Sequence, residues 1–166
     1  MYFEINSSNE ILFYNKKYKS IELDNNKLNI YGDFLCLFQN KKFLKETESL
    51  EILRSSLKDL NKLQKNILDT IGACQFVLRR SNGDIIIYNS NESPGIFYGK
   101  DNKKLYISTS EIDISRKLIK NKINNFELVD YLFRHYNKKN SFRSLIDGVM
   151  RLPTSSSLRV ENDLTL

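Results

Sequence analysis

The side chains that could perform acid–base chemistry are few and lie far apart in the sequence. His135 is the only histidine, and it stands at the end of a predicted helix, where the helix dipole favours a basic side chain. No serine, cysteine or carboxylate is placed in the sequence to act with it. Asp59, Asp69 and Asp84 each lie beside a turn or a helix end, where aspartate is common. We therefore interpret all four residues as structural.

Two cysteines, Cys36 and Cys74, are the remaining candidates for a nucleophile. Both lie in apolar segments, and free cysteine in such surroundings usually behaves as a small buried hydrophobe. The sequence has no CxxC pair and no cysteine–histidine cluster, so it predicts neither a metal site nor a cofactor. The hydroxyl run from Thr154 to Ser157 is interpreted as a loop before a strand rather than a phosphate-binding nest.

Composition and charge indicate one globular domain over residues 1–166, with 40% apolar residues, 28% charged residues and a net charge of +6. Basic pairs such as Lys41-Lys42, Arg79-Arg80 and Lys103-Lys104 are dispersed, and several stand beside Asn or Gly. This pattern favours solvated loops over a nucleic-acid-binding stripe. The first ten residues lack the basic start and apolar run of a signal peptide. No apolar stretch approaches the ~20 residues that span a bilayer, so we expect a cytoplasmic protein without a membrane partner.

The elements that would position any site alternate between strands and helices. Short β-prone runs separated by turn residues predict strands over residues 2–5, 11–14, 18–23, 28–31 and 34–38. Leucines at steps of three and four predict an amphipathic helix over residues 47–68, capped by Thr47 or Ser49 and interrupted near Asp59. The leucine stripe is expected to pack in the core.

Strands return after this helix, and Asn82-Gly83 between two β-rich runs predicts a hairpin. The predicted strands cover residues 73–80, 85–89, 96–98, 105–108 and 157–160, and the predicted helical segments cover residues 126–136 and 142–150. Hairpins and helices that are segregated along the chain indicate an α+β fold with mainly antiparallel sheets.

The order of segments from Gly72 onward resembles the N-terminal glutaminase domain of the asparagine synthetase family. A helix precedes the strand Gly72 to Leu78, and later pieces match in order: Ile85 to Tyr88, Ile96 to Gly99, Leu105 to Ser108 and Ser110-Glu111-Ile112. The tail gives the most specific match, with Asp130-Tyr131-Leu132, then Leu145 to Pro153, then Leu158-Arg159-Val160. The resemblance implies an N-terminal-nucleophile hydrolase fold, a four-layer αββα sandwich. It covers the part of the chain before Gly72 poorly.

The chain departs from the family where that family performs chemistry. In active members a terminal cysteine attacks glutamine, whereas Tyr2 stands at that place here, and a phenol with an ordinary pKa of about 10 cannot replace a thiolate. Cys36 and Cys74 are internal and carry no free amine. We find no match to the family's Arg-Gly loop or Asn-Gly-Glu segment; Asn82-Gly83-Asp84 lies after the Gly72 strand and is explained by a hairpin. The family's Arg-Asp is Tyr88-Asn89 here. The sequence therefore predicts no catalytic residue.

The resemblance implies a non-catalytic glutaminase-like domain that acts as scaffold or partner subunit of a separate ATP-dependent, amide-bond-forming synthetase. The chain contains no Ser-Gly-Gly-type pyrophosphate loop of its own. The β-lactam synthetases are a similar case, because they keep the first domain without its nucleophile. One alternative is a fragment of a functional glutamine-dependent amidotransferase. A second is a small basic interaction domain that binds nucleic acid. The substrate, the product and the oligomeric state are not predicted.

Overall fold

A computed structural model describes residues 1–8, 10–13, 18–93, 95–118, 144–161 and 164. The chain divides into two compact units, the first formed by Met1–Lys16 and Pro94–Thr154 and the second by Lys17–Ser93 and Ser155–Leu166. The described elements, in chain order, are β1 Tyr2–Asn6, β2 Ile11–Phe13, β3 Tyr18–Leu23, β4 Asn26–Gly32, β5 Cys36–Gln39, β6 Lys42–Phe43, α1 Glu46–Ser55, α2 Leu60–Leu68, β7 Thr70–Ile71, β8 Cys74–Arg79, β9 Ile85–Asn89, β10 Ile96–Lys100, β11 Lys104–Ser108, α3 Glu111–Leu118, β12 Met150–Leu152 and β13 Ser157–Val160.

The first unit is built on a five-stranded antiparallel sheet in the order β12-β10-β11-β1-β2. Strand β1 lies inside this sheet, with Glu4 opposite Tyr106 on β11. Helix α3 covers one face, where Ile114 packs with Tyr106 and Val149. Because side chains alternate across a strand, Phe3 and Ile107 lie on the opposite face, and both are fully buried.

The second unit is built on a five-stranded antiparallel sheet in the order β13-β9-β8-β4-β3. Helices α1 and α2 cover one face of this sheet, and the apolar side chains of Leu53, Leu63 and Phe76 are fully buried there. This packing confirms that the leucine stripe is core. The opposite face includes the buried apolar side chains of Val77, Ile87, Leu158 and Val160, and it also carries polar and charged side chains. A small three-stranded sheet, β6-β5-β7, completes the unit.

The interruption predicted near Asp59 is confirmed, because its carboxylate caps α2 by accepting hydrogen bonds from the backbone N–H groups of Asn61 and Lys62 at 3.0 and 3.1 Å. The predicted caps of the first helix, Thr47 and Ser49, are wrong. Helix α1 begins after Lys45, whose N–H donates to the Glu48 carboxylate at 3.0 Å. Ser49 instead uses its hydroxyl inside the fold, accepting from the Leu37 N–H at 3.0 Å.

The predicted α+β class with mainly antiparallel sheets is confirmed, and strands 18–23 and 85–89 have the predicted bounds. The helical segment predicted over 142–150 is wrong for its described residues, 144–150. Gly148 adopts a φ of +76°, which a right-handed helix does not allow, and the Val149 N–H closes a turn on the Ile146 carbonyl at 3.1 Å. The helix predicted over 126–136, with His135, lies outside the described residues. Elements α3, β6, β7 and β12 were not predicted.

Candidate functional site

An ion cluster forms around the buried carboxylate of Glu4 on β1, beside Tyr2. The Tyr2 hydroxyl donates to Glu4 Oε1 at 2.9 Å, and Lys104 Nζ donates to Glu4 Oε2 at 2.6 Å. Lys117 Nζ lies 3.6 Å from Glu4 Oε1, although the Glu4 side chain is only 3% exposed. We call Tyr2, Glu4, Lys104 and Lys117 the Glu4 cluster. It holds Tyr2 as a hydrogen-bond donor to a carboxylate.

The Glu4 carboxylate stays ionised in this cluster. Burial alone would raise its pKa, but hydrogen bonds from Lys104 and Tyr2 and the charges of Lys104 and Lys117 outweigh burial, so the pKa lies below its ordinary value. We interpret this buried carboxylate as structural, because both of its oxygens already accept hydrogen bonds from Tyr2 and Lys104. The lowered pKa makes the Glu4 carboxylate a weak base, which is poorly suited to take a proton from a nucleophile at neutral pH.

The two cysteines differ in burial. Cys74 is fully buried on the helix-covered face of the second unit's sheet, and burial raises the pKa of its thiol to about 12. The predicted role of a small buried hydrophobe is therefore confirmed for Cys74. Cys36 on β5 is only half-buried, so it fits that role less well. Both are free thiols.

A row of buried polar side chains crosses the second unit's sheet. Tyr31 on β4 stands opposite Gln75 on β8, which in turn stands opposite Asn89 on β9. Residues directly opposite each other project from the same face, so these three, the polar row, share the face that is not covered by α1 and α2. Asn29 lies on the same face, and its buried Oδ1 accepts no hydrogen bond from the described residues.

The loop after β9 closes over the end of the polar row. Gln75 Nε2 donates to Ser93 Oγ, and both residues are buried. The Ser90 hydroxyl donates to the Gly72 carbonyl at 3.2 Å, and the Gly72 N–H donates to Glu92 Oε2 at 2.8 Å. Gly72 adopts a φ of +118°, and a Cβ there would lie 1.9 Å from the Asp33 carbonyl oxygen. The residue pair that leads into β8 is therefore fixed against the segment that follows β4. The close approach of Gly72 to the Asp33 carbonyl is one that only glycine permits.

The polar row consists of a phenol and two amides, and the Gln75 amide already donates to Ser93. It includes no thiol, imidazole or carboxylate, and it is not arranged for nucleophilic or acid–base catalysis. Sequence reasoning missed it. Asn29, Gln75 and Asn89 do stand at alternating positions in apolar strands, but such residues usually face water, whereas these are buried.

The other residues considered in the sequence have structural roles where they are described. Asp84 is buried and pairs with Arg159 at 2.6 Å and Arg80 at 3.7 Å. The Asn82-Gly83 hairpin is confirmed, with Gly83 at a φ of +90°. Thr154 and Ser155 form the turn that leads into β13, as predicted for the hydroxyl run. Asp69 follows the last turn of α2.

Within the described ranges, no group of three or more His, Cys, Asp or Glu side chains is arranged to hold a metal ion. No helix in the described part of the chain is both long and apolar enough to cross a membrane. No protein-family model matches the chain, and no curated protein sequence matches it either.

Proposed function

We propose that this chain is a non-catalytic, glutaminase-like domain that acts as scaffold or partner subunit of an ATP-dependent, amide-bond-forming synthetase. The observation that carries this assignment is the Glu4 cluster. Tyr2 stands at the family's nucleophile position, and its hydroxyl is bound to a buried carboxylate inside the sheet. A domain arranged in this way would bind or support another subunit. The cysteine that would attack glutamine is replaced by a tyrosine, and the tyrosine hydroxyl makes a structural hydrogen bond.

We propose further that the two helix-covered sheets form the four-layer αββα sandwich of N-terminal-nucleophile hydrolases. Two features of the separate units support this. Each five-stranded sheet is antiparallel, and described helices cover one face of it, α3 in the first unit and α1 and α2 in the second. The opposite face of each carries buried apolar side chains, as Phe3 and Ile107 illustrate in the first unit and Val77 and Ile87 in the second.

An exposed apolar face supports a role in binding a partner subunit. Phe38 on β5 is opposite Phe43 on β6, with ring centroids 4.9 Å apart, and Cys36 is opposite Ile71 on β7. Because Leu37 points into the core, these four side chains form the other face of the small sheet, which we call the outer face. Phe43 is 71% exposed and Phe38 is 41% exposed. Aromatic side chains are enriched at the centres of protein interfaces.

Two measurements test the proposed function. The purified chain is incubated with glutamine, and glutamate is measured by a coupled dehydrogenase assay; we expect none above the buffer value. Glutamate release that persists in the Cys36→Ala/Cys74→Ala variant would contradict a non-catalytic domain. The tagged chain is also recovered from its native cells, and its partners are identified by mass spectrometry. We expect an ATP-dependent synthetase, and its absence would remove the link to amide synthesis.

A matched pair of variants tests the outer face. Phe38→Ser/Phe43→Ser removes the aromatic pair, whereas Leu12→Ser/Ile112→Ser removes two other exposed apolar side chains. We expect the first variant to lose the synthetase and the second to retain it, with both chains folded by circular dichroism. Equal recovery with both variants would mean that the partner binds elsewhere.

A further inference from the structure

A groove in the second unit has the size and charge of a ligand site. It encloses about 720 Å³ between the β3–β4 turn, the β8–β9 turn and Arg54 on α1. We call it the arginine groove, and its basic lining residues are Lys27, Arg54, Arg79 and Arg80. Pockets that hold small ligands typically have volumes of about 300–1,000 Å³.

Two like charges stand directly opposite each other in this groove. Lys27 on β4 is the cross-strand partner of Arg79 on β8. Like charges in such a pair repel each other and destabilise the sheet. Glu22 on β3 forms an ion pair with Lys27 at 2.6 Å and so neutralises the charge of Lys27, but it forms no ion pair with Arg79. The Arg79 side chain is exposed and makes no hydrogen bond or ion pair within the part of the chain that the structure describes.

The remaining guanidinium groups are also incompletely neutralised. Arg54 donates through Nε to the Glu22 carbonyl at 3.1 Å, and its nearest carboxylate, on Glu51, is 3.9 Å away. Arg80 lies 3.7 Å from Asp84, whose closer partner is Arg159 at 2.6 Å.

The lining contains four basic side chains and two carboxylates, Glu22 and Asp24, which leaves two positive charges in excess. Asp24 is already paired with Lys58. The arginine groove is therefore an electropositive depression in which three guanidinium groups from two elements have unused donors.

We infer that the arginine groove binds a small anion that carries two or more phosphoryl groups. The planar guanidinium fork matches the oxygens of a phosphoryl group and can bind them in pairs. Arginines on a helix and on a strand provide separate contacts for neighbouring phosphoryl groups. No phenylalanine or tyrosine is among the described residues that line the groove, so these residues offer no stacking platform of the kind that single-stranded nucleic acid uses. This inference does not depend on the proposed function.

Isothermal titration with inorganic pyrophosphate at an ionic strength of about 0.15 M tests this inference. We expect saturable one-to-one binding with a Kd of roughly 1 mM or tighter. The Arg79→Gln/Arg80→Gln variant should bind at least about tenfold more weakly, a loss of ~1.4 kcal/mol. The control is Lys41→Gln/Lys42→Gln, which removes the same charge from the exposed β5–β6 turn and should bind as the wild type does. Circular dichroism verifies that both variants fold.

Three results would overturn the inference. If millimolar pyrophosphate does not saturate the chain, the groove does not bind such an anion. Equal weakening by both variants would indicate diffuse attraction by a basic protein. An oligothymidylate that binds the wild type more tightly than pyrophosphate, and loses binding only in the Arg79→Gln/Arg80→Gln variant, would assign the groove to nucleic acid.

Discussion

The two five-stranded sheets are built alike but are stabilised on their helix-covered faces by different interactions. In the second unit that face is apolar, with Leu28, Phe76 and Leu78 buried beneath α1 and α2. In the first unit the corresponding face carries the Glu4 cluster beside α3. Burial of apolar surface is not directional, whereas a buried carboxylate requires specific partners. The same architecture therefore does not imply the same response to mutation or to pH.

The largest effect should come from the apolar face. Replacing Phe76, which packs edge-to-face with Phe34 at 6.4 Å, by alanine leaves a cavity that the surrounding side chains fill only in part. We expect Phe76→Ala to lower the free energy of unfolding by about 3–5 kcal/mol, measured by urea denaturation. Phe43→Ala, at an exposed site, should change it by less than about 1 kcal/mol. Similar losses in both variants would mean that Phe76 is not core.

The next largest effect should come from the Glu4 cluster. Glu4→Gln keeps the size of the side chain but removes the charge that Lys104 and Lys117 neutralise. Because both lysines are partly exposed and can be solvated, we expect the free energy of unfolding to fall by about 2 kcal/mol at pH 7 in urea denaturation. The control is Glu51→Gln, whose side chain is 73% exposed and whose ion pair is 3.9 Å long. If Glu4→Gln were as stable as the control variant, the cluster would not stabilise the first unit.

The pH dependence of the unfolding free energy should distinguish the face with the Glu4 cluster from the apolar face of the second unit. The pKa of Glu4 is lower in the folded chain than its ordinary value of 4.5, so its contribution is complete above that value. The contribution is lost as the pH falls below it through the folded pKa. We therefore expect the difference in unfolding free energy between wild type and Glu4→Gln to shrink as the pH is lowered from 4.5 through the folded pKa, whereas the deficit of Phe76→Ala stays constant. A deficit of Glu4→Gln that does not depend on pH would show that charge is not its cause.

The smallest effect should come from the outermost member of the cluster. Lys117 lies 3.6 Å from Glu4, its side chain is 51% exposed, and its Nζ is 5.7 Å from the centre of the Tyr2 ring. Solvent screens such a pair, so Lys117→Gln should cost about 0.5 kcal/mol in urea denaturation. Lys104→Gln removes the 2.6 Å contact and should cost more. The reverse order would place the main partner of Glu4 on α3.

Much of the second unit could be predicted from local patterns, and its polar row could not. Runs of β-prone residues between turn residues predicted the strands, and leucine spacing predicted α1 and α2, because burial of an apolar helix face imposes that period. Gln75 stands at a position where alternation favours solvent, yet it is buried. Burial of that face depends on tertiary structure, which periodicity does not report. Two-residue strands such as β6 and β7 exist only through their pairing with β5.

The candidate site in the first unit escaped prediction for a related reason. Glu4 and Lys104 are separated by 100 positions in the sequence, so no motif could connect them. Helix α3 offers only Ile114 and Leu118 as apolar side chains one turn apart on the covered face, which is too short a pattern to distinguish a helix. Tyr2 was identified by resemblance, whereas its hydrogen bond to Glu4 required the structure.

The small sheet β6-β5-β7 presents exposed aromatic side chains on very short strands. A long, flat strand of that kind would act as a template for pairing with other chains and would promote aggregation. Here the edge strands β6 and β7 have two residues each, and lysines occupy positions 41 and 42. Edges this short and this charged offer few backbone groups for a second molecule to extend into a fibril. The sheet can therefore keep Phe43 in solvent while resisting self-association.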